Sequence, residues 1–257
     1  MNIIRKLRLI SIADIFTMAN GVFGLLAAIS FVIFHPDITI GTALIFAGII
    51  CDGADGFMAR KFGTKHDYGR YLDSISDSIT FGVAPAVLVI VHYYNTSPSD
   101  LRLLGNSLTI AAGLMVVTFA WYRLYRFSVE GYKYSEFCGL ATPAMTFFVL
   151  VNTHILTPDS DLHIFLALGL TIMASIMMVM PKIRYPKLRG GLEIAVALVI
   201  VITLITIQML KTYSILGEKI TWIVYWALTY MALGIMIGYV FISPIYMMFG
   251  MEGDDGR

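Results

Sequence analysis

Asp52 and Asp55 stand three residues apart, and Asp73 and Asp77 four apart, in stretches that are otherwise largely apolar. Spacings of three and four put side chains on one face of a helix. The link between the two pairs is short, so the second helix must run back beside the first and the four carboxylates can converge between them. Clustered acids repel one another and stay ionised only with cations between them. Hard oxygen ligands without cysteine or grouped histidine favour Mg²⁺, Mn²⁺ or Ca²⁺ over zinc. Two facing carboxylate pairs suit a two-metal site, a recurrent device for displacement at phosphorus.

The same stretch carries Gly53, Gly56 and Gly69, with Ala59 keeping it shallow and Arg60 one turn beyond Gly56. Helical glycines cost about 1 kcal/mol each relative to alanine, which a bulky ligand lying against the backbone would explain. Close helix packing is the competing account of any one of them. Helix capping competes for Asp55 taken alone and is the better account of Asp67, and His66 reads as a solvated loop residue. Capping does not account for all four acids together, because intramembrane acids rarely cluster without function.

The elements that must position these groups are membrane helices. Of 257 residues, 58% are hydrophobic and 14% charged, with a mean hydropathy of +0.79, too apolar for a water-soluble globule. Runs long enough to cross a bilayer cover residues 12–34, 38–59, 68–93, 106–127, 139–156, 162–180, 192–210 and 221–248, the fifth being the shortest. Residues 1–11 read as an interfacial amphipathic helix, and residues 252–257 as a polar tail. A cleaved leader fits less well, because the first run is long and contains Asp14 and Asn20. Residues 1–251 are therefore expected to form one membrane domain, and nothing in them suggests a nucleic-acid partner.

Of the 18 Lys and Arg residues, all but Arg102, Lys211 and Lys219 fall on the N-terminal side of the eight-span topology. The positive-inside rule then puts both termini and the acidic cluster on the cytoplasmic side of the cell membrane. Cys51 and Cys138 read as small packing residues rather than a disulfide.

The acidic stretch resembles the signature of the CDP-alcohol phosphatidyltransferase family, D-x2-D-G-x2-A-R-x8-G-x3-D-x3-D. It is present without a gap as Asp52, Asp55, Gly56, Ala59, Arg60, Gly69, Asp73 and Asp77. The resemblance implies an all-α bundle with a six-helix catalytic core, about residues 12–180 here, around a polar cavity. Two extra C-terminal spans, about 192–248, would be added to it. It further implies two divalent cations, Mg²⁺ or Mn²⁺. Asp52, Asp55 and Asp73 would be ligands and Asp77 a ligand or the base. Gly56, Ala59, Gly69 and Arg60 would face the nucleotide of a CDP-activated lipid.

Three further segments look like those of phosphatidylserine synthases: Ser78 to Pro85, Thr17 to Asn20 with Gly24, and Arg123 to Ser128 followed by Phe137, Gly139 and Pro143. Tyr125, Ser128 and Ala141 depart from the usual pattern. This closer likeness implies L-serine as acceptor, with Arg123 and Arg126 meeting its carboxylate or a phosphate. Snorkelling to the interface is the competing account of both arginines. Thr17 and Asn20 would donate to phosphate or ligand, unless they serve helix packing.

Glycerol phosphate or inositol phosphate is the alternative acceptor. A cation transporter is a more remote reading, because the acids gather at one end of the spans rather than along a path. The expected partners are the CDP-lipid, serine, surrounding membrane lipid and a second copy in a homodimer.

Overall fold

The computed structural model describes residues 11–62, 67–130, 137–180, 183–185, 227, 230, 231 and 234–242. The interfacial helix up to residue 10, the seventh expected span, much of the eighth and the tail lie outside these residues. Helix α1 runs Ile12–Ile33 and α2 Thr39–Phe62. The third rod is continuous but composite: α3 (Asp67–Ser78), a π-helical turn (Ile79–Val83) and α4 (Ala84–Tyr93). Helices α5 (Arg102–Glu130), α6 (Thr142–Ile155) and α7 (Asp161–Val179) complete six rods. The expected all-α architecture is observed, together with a minimal antiparallel ladder between β1 (Phe137–Cys138) and β2 (Arg184–Tyr185).

Among the described residues, five rods are long and apolar enough to cross a membrane: α1, α2, the composite third, α5 and α7. The fifth expected span is corrected in length. Helix α6 has 14 residues, about 21 Å at 1.5 Å per residue, short of the bilayer core. Its side chains from Met145 to Ile155 are all buried. A helix buried all round belongs inside a bundle, where its neighbours rather than its own length meet the lipid. Gly139, expected at the start of that span, lies before the helix at φ +83. A side chain there would also run into the Met178 carbonyl, so both backbone conformation and space call for glycine.

Helix α1 is inside-out by the standards of a soluble protein. Ala13, Asp14, Thr17, Asn20, Gly21, Gly24, Ala27, Ala28 and Phe31 are buried, whereas Ile15, Val22, Leu25, Ile29 and Val32 are exposed. The second set gives the membrane its apolar face. Apart from Phe31, the first set is small or polar, which lets backbones approach and side chains hydrogen-bond. Ser11 and Asp14 start the helix with a capping box: the Asp14 N–H donates to Ser11 Oγ at 3.2 Å, and the Ser11 N–H donates to Asp14 Oδ2 at 2.8 Å.

Pro85 accounts for the π turn. It has no N–H to give the Phe81 carbonyl four residues earlier, and its ring crowds that oxygen. The helix widens so that the Ala84 N–H bonds Ile79 O. Thr146 Oγ1 on α6 donates to the released Phe81 carbonyl at 3.2 Å. Thr80 Oγ1, in the same turn, donates to the Asn20 carbonyl of α1 at 2.9 Å.

At the end away from the acidic cluster, the Tyr93 hydroxyl donates to Leu156 O at 2.7 Å. Asn152 Nδ2 donates to Ala167 O at 3.0 Å and to Thr171 Oγ1 at 3.1 Å, joining α6 to α7. These polar ties supply what lipid cannot, because apolar faces have little reason to prefer each other over acyl chains.

The approach of α1 to the π turn sets a test. A β-carbon on Gly24 would lie 2.3 Å from Thr80 Oγ1 and 2.6 Å from Thr80 Cα. Gly24→Ala should destabilise the protein by about 1–3 kcal/mol, read as a lower unfolding midpoint in detergent. An unchanged midpoint would refute the contact.

Candidate active site

Helices α2 and α3 bring their acids together as their spacing demands. One carboxylate oxygen each from Asp52, Asp55 and Asp73 lies within 4.8 Å of the others. Asp55 is buried, and Asp52 and Asp73 are half-buried. That separation suits oxygens sharing a hard cation, and the donor set is all carboxylate, as Mg²⁺ or Mn²⁺ would require. Asp77 sits beside this triplet, within electrostatic reach of Asp52, Asp73 and Asp55.

Helix α1 supplies the donors that hold the acids. Thr17 Oγ1 donates to Asp55 Oδ2 at 2.7 Å. Asn20 Nδ2 donates to Asp77 Oδ1 at 2.9 Å. Thr17 and Asn20 thus point at the carboxylates, which makes them orienting groups as well as site residues. Asn20 is fully buried, and its Oδ1 has no hydrogen-bond partner. The Thr80 bond to its backbone fixes the same stretch of α1 from behind.

The glycines differ from one another. A β-carbon on Gly53 would meet nothing within 4 Å among the described residues, and one on Gly69 only Asp14 Oδ1, at 3.2 Å. Close packing therefore does not explain Gly53, whereas a side chain at Gly69 would crowd the Asp14 carboxylate. Gly56 is half-buried on α2. The backbones of Ala59 and Arg60 continue α2, and their side chains lie outside the description. Cys51 is a half-buried free thiol; the Cys138 side chain lies outside the description.

Arg123 and Arg126 reach the same end from α5. Arg123 is buried, so snorkelling does not describe it. Its Nη1 donates to Thr142 Oγ1 on α6 at 3.3 Å, and its buried Nε has no hydrogen-bond partner. Asp77, Arg126 and Tyr239 lie within its electrostatic reach. Arg126, half-buried, donates from Nη1 to Val179 O at 3.4 Å.

Several contributors went unread in the sequence. Thr80 and Thr142 are ordinary threonines until the fold sets them opposite their partners, although Pro85 inside a span was an available sign of the freed carbonyl. Asp14 was noted only as an acid in the first span, yet one of its oxygens faces the gap at Gly69.

The family model for CDP-alcohol phosphatidyltransferases matches residues 10–179, which contain all of these side chains except Tyr239. A CDP-diacylglycerol–serine O-phosphatidyltransferase of Methanocaldococcus jannaschii is 35% identical over 187 residues, 70% of this chain and 76% of the relative. The enzyme of that name from Bacillus subtilis is 33% identical over 173 residues, 67% of this chain and 88% of the relative. An archaetidylserine synthase of Methanothermobacter thermautotrophicus is 30% identical over 184 residues, covering 70% and 72%.

Thr17 lends itself to measurement. Valine keeps its shape but removes the hydroxyl that orients Asp55. Because groups that orient ligands are worth roughly 10- to 100-fold in metal affinity, Thr17→Val should weaken Mn²⁺ binding at least tenfold by calorimetry. Wild-type affinity in that variant would mean that Asp55 needs no such support.

Proposed function

The chain belongs to the CDP-alcohol phosphatidyltransferase family, and we propose that it transfers the phosphatidyl or archaetidyl group of a CDP-activated lipid to the hydroxyl of L-serine, releasing CMP. One observation carries this reading: the compact Asp52–Asp55–Asp73 triplet has Asp77 beside it and a buried, incompletely partnered arginine within electrostatic reach of Asp77. The names of the three relatives support serine as the acceptor.

Asp52, Asp55 and Asp73, with Asp77 completing the set, would hold two divalent cations, Mg²⁺ or Mn²⁺. Such ions, when bound, draw electron density from a pyrophosphate and offset the charge on the leaving nucleotide. The serine oxygen attacks the phosphorus that carries the lipid, in line with the bond to CMP. The new P–O bond forms as the old one breaks, and CMP departs with the electron pair.

Asp77 takes the hydroxyl proton. The Asn20 N–H occupies one of its oxygens, leaving the other for the acceptor. Arg123, with Arg126 nearby, receives the serine carboxylate, for which a guanidinium fork is well shaped. The open space at Gly53, with Gly56 on the same helix and Gly69 facing them without a side chain, would let the nucleotide lie against the backbone. Arg60 at the end of α2 suits its phosphates. The acyl or isoprenoid chains stay in the bilayer along the exposed apolar faces.

The Lys and Arg distribution supports a cytoplasmic opening for this site in the cell membrane. Residues 1–251 are read as one membrane domain, with the catalytic core at about 12–180 and two added spans after it. The added spans are read as packing or dimerisation elements of a homodimer.

Purified protein given CDP-lipid, Mn²⁺ and one acceptor at a time should release CMP with serine and not with glycerol phosphate or inositol phosphate. Release with a phosphorylated polyol alone would overturn the acceptor, and ion flux without CMP would overturn the reaction. Asp77→Asn should lower kcat by about 10²-fold or more, within the usual range for a general base, with the KM for CDP-lipid little changed.

A further inference from the structure

Helix α6 begins at Thr142, and no side chain caps it: its N-cap is Ala141, in extended backbone conformation. The unbonded N–H groups of a first turn give that end of a helix a partial positive charge. Against this end the fold sets a cation. Arg123 of α5 is buried, and its Nη1 donates to Thr142 Oγ1 at 3.3 Å. Thr142 is 1% exposed, so the bond lies inside the bundle. A buried guanidinium beside an uncapped helix start is a poor arrangement in itself, and a good one once an anion binds there. The Nε edge of Arg123 has no hydrogen-bond partner, which leaves part of its fork still to be satisfied.

The Thr142 hydroxyl stands on a firm base. Thr146 Oγ1 donates to the Thr142 carbonyl at 3.1 Å and to Phe81 O at 3.2 Å, which ties the first turn of α6 to the rod that carries Asp77. The Phe147 ring meets Phe46 of α2 at a centroid distance of 5.7 Å. Phe148 meets Phe241 at 5.9 Å, in a segment whose Val240 carbonyl accepts the Tyr185 hydroxyl at 2.8 Å. Thr142 is thus a fixed point, while the arginine it holds is a long side chain with rotamer freedom to lose when an anion arrives. We infer that Thr142 is a positioning residue for Arg123: its hydroxyl holds the guanidinium at the start of α6, where the carboxylate of the acceptor is received. The inference rests on the reading of Arg123 as that carboxylate's partner, and it adds the residue that fixes the arginine before the acceptor binds.

The test follows CMP release in wild type, Thr142→Val, Thr142→Ala, Thr142→Ser, Arg123→Gln and the Thr142→Val/Arg123→Gln double variant, with L-serine and CDP-lipid each varied in turn. Valine and alanine both remove the hydroxyl, so a folding defect peculiar to one, read from the unfolding midpoint in detergent, leaves the other to report. Thr142→Val and Thr142→Ala should raise the KM for L-serine about 3- to 10-fold, the usual range for one lost hydrogen bond. Their kcat and their KM for CDP-lipid should change little. Thr142→Ser, which keeps a hydroxyl, should recover most of the lost affinity. In the Arg123→Gln background the valine substitution should cost little more, since both changes act through one group. An unchanged KM for L-serine without the hydroxyl, no recovery in Thr142→Ser, equal losses for both substrates, or additive effects in the double variant would overturn the role of Thr142. If Arg123→Gln itself leaves the KM for L-serine untouched, the acceptor reading falls and this inference with it.

Discussion

Carboxylates gathered at the edge of an apolar bundle repel one another and lose hydration, so they persist only where donors and counter-charge offset both penalties. The first three rods are organised around that constraint. Helices α2 and α3 contribute the acids, and α1 contributes the amide and hydroxyl that hold two of them in place. Small residues on α1 let it come close enough to do so. The face of α1 turned away from the site can then be wholly aliphatic. One helix thereby meets lipid with one side and organises a polar centre with the other.

The same division of labour extends outward. Helix α6 is buried almost throughout, and Thr142 and Thr146 on it serve Arg123 and the Phe81 carbonyl. It is a supporting column for the site more than a barrier to the membrane. Helices α5 and α7 flank it and expose apolar residues such as Leu114 and Leu166. The β1–β2 ladder, Gly139 and Tyr185 close the site end of the bundle and seat the segment that carries Tyr239.

The sequence exposes the rods because lipid enforces long apolar runs, and five of the first six expected spans are found at membrane-crossing length. It exposes the acids because three- and four-residue spacings translate directly into one helix face. Pairings across long separations are less legible. Nothing local to Thr17 announces Asp55, 38 residues away, and nothing around Arg123 announces its burial, since an arginine near a span end reads equally well as snorkelling. The shortness of α6 was hidden for a similar reason: apolar residues mark burial without saying whether lipid or protein does the burying. Residues 234–242 read as part of a plain apolar span, because nothing local announces the Phe148 and Tyr185 rings that Phe241 and Tyr239 will meet.

The wide turn at Ile79–Val83 divides its rod into two lengths with independent angular phase. An extra residue in one turn slips the facing of everything beyond it by about 100° relative to an unbroken α-helix. The half bearing Asp73 and Asp77 packs on α1 and α5, while the half from Ala84 to Tyr93 packs on both of these and reaches α6 as well. Aliphatic substitutions in the far half can drift with membrane thickness without turning the acids away from their partners. In this sense the bulge insulates the chemistry from the solvent that surrounds the rest of the rod.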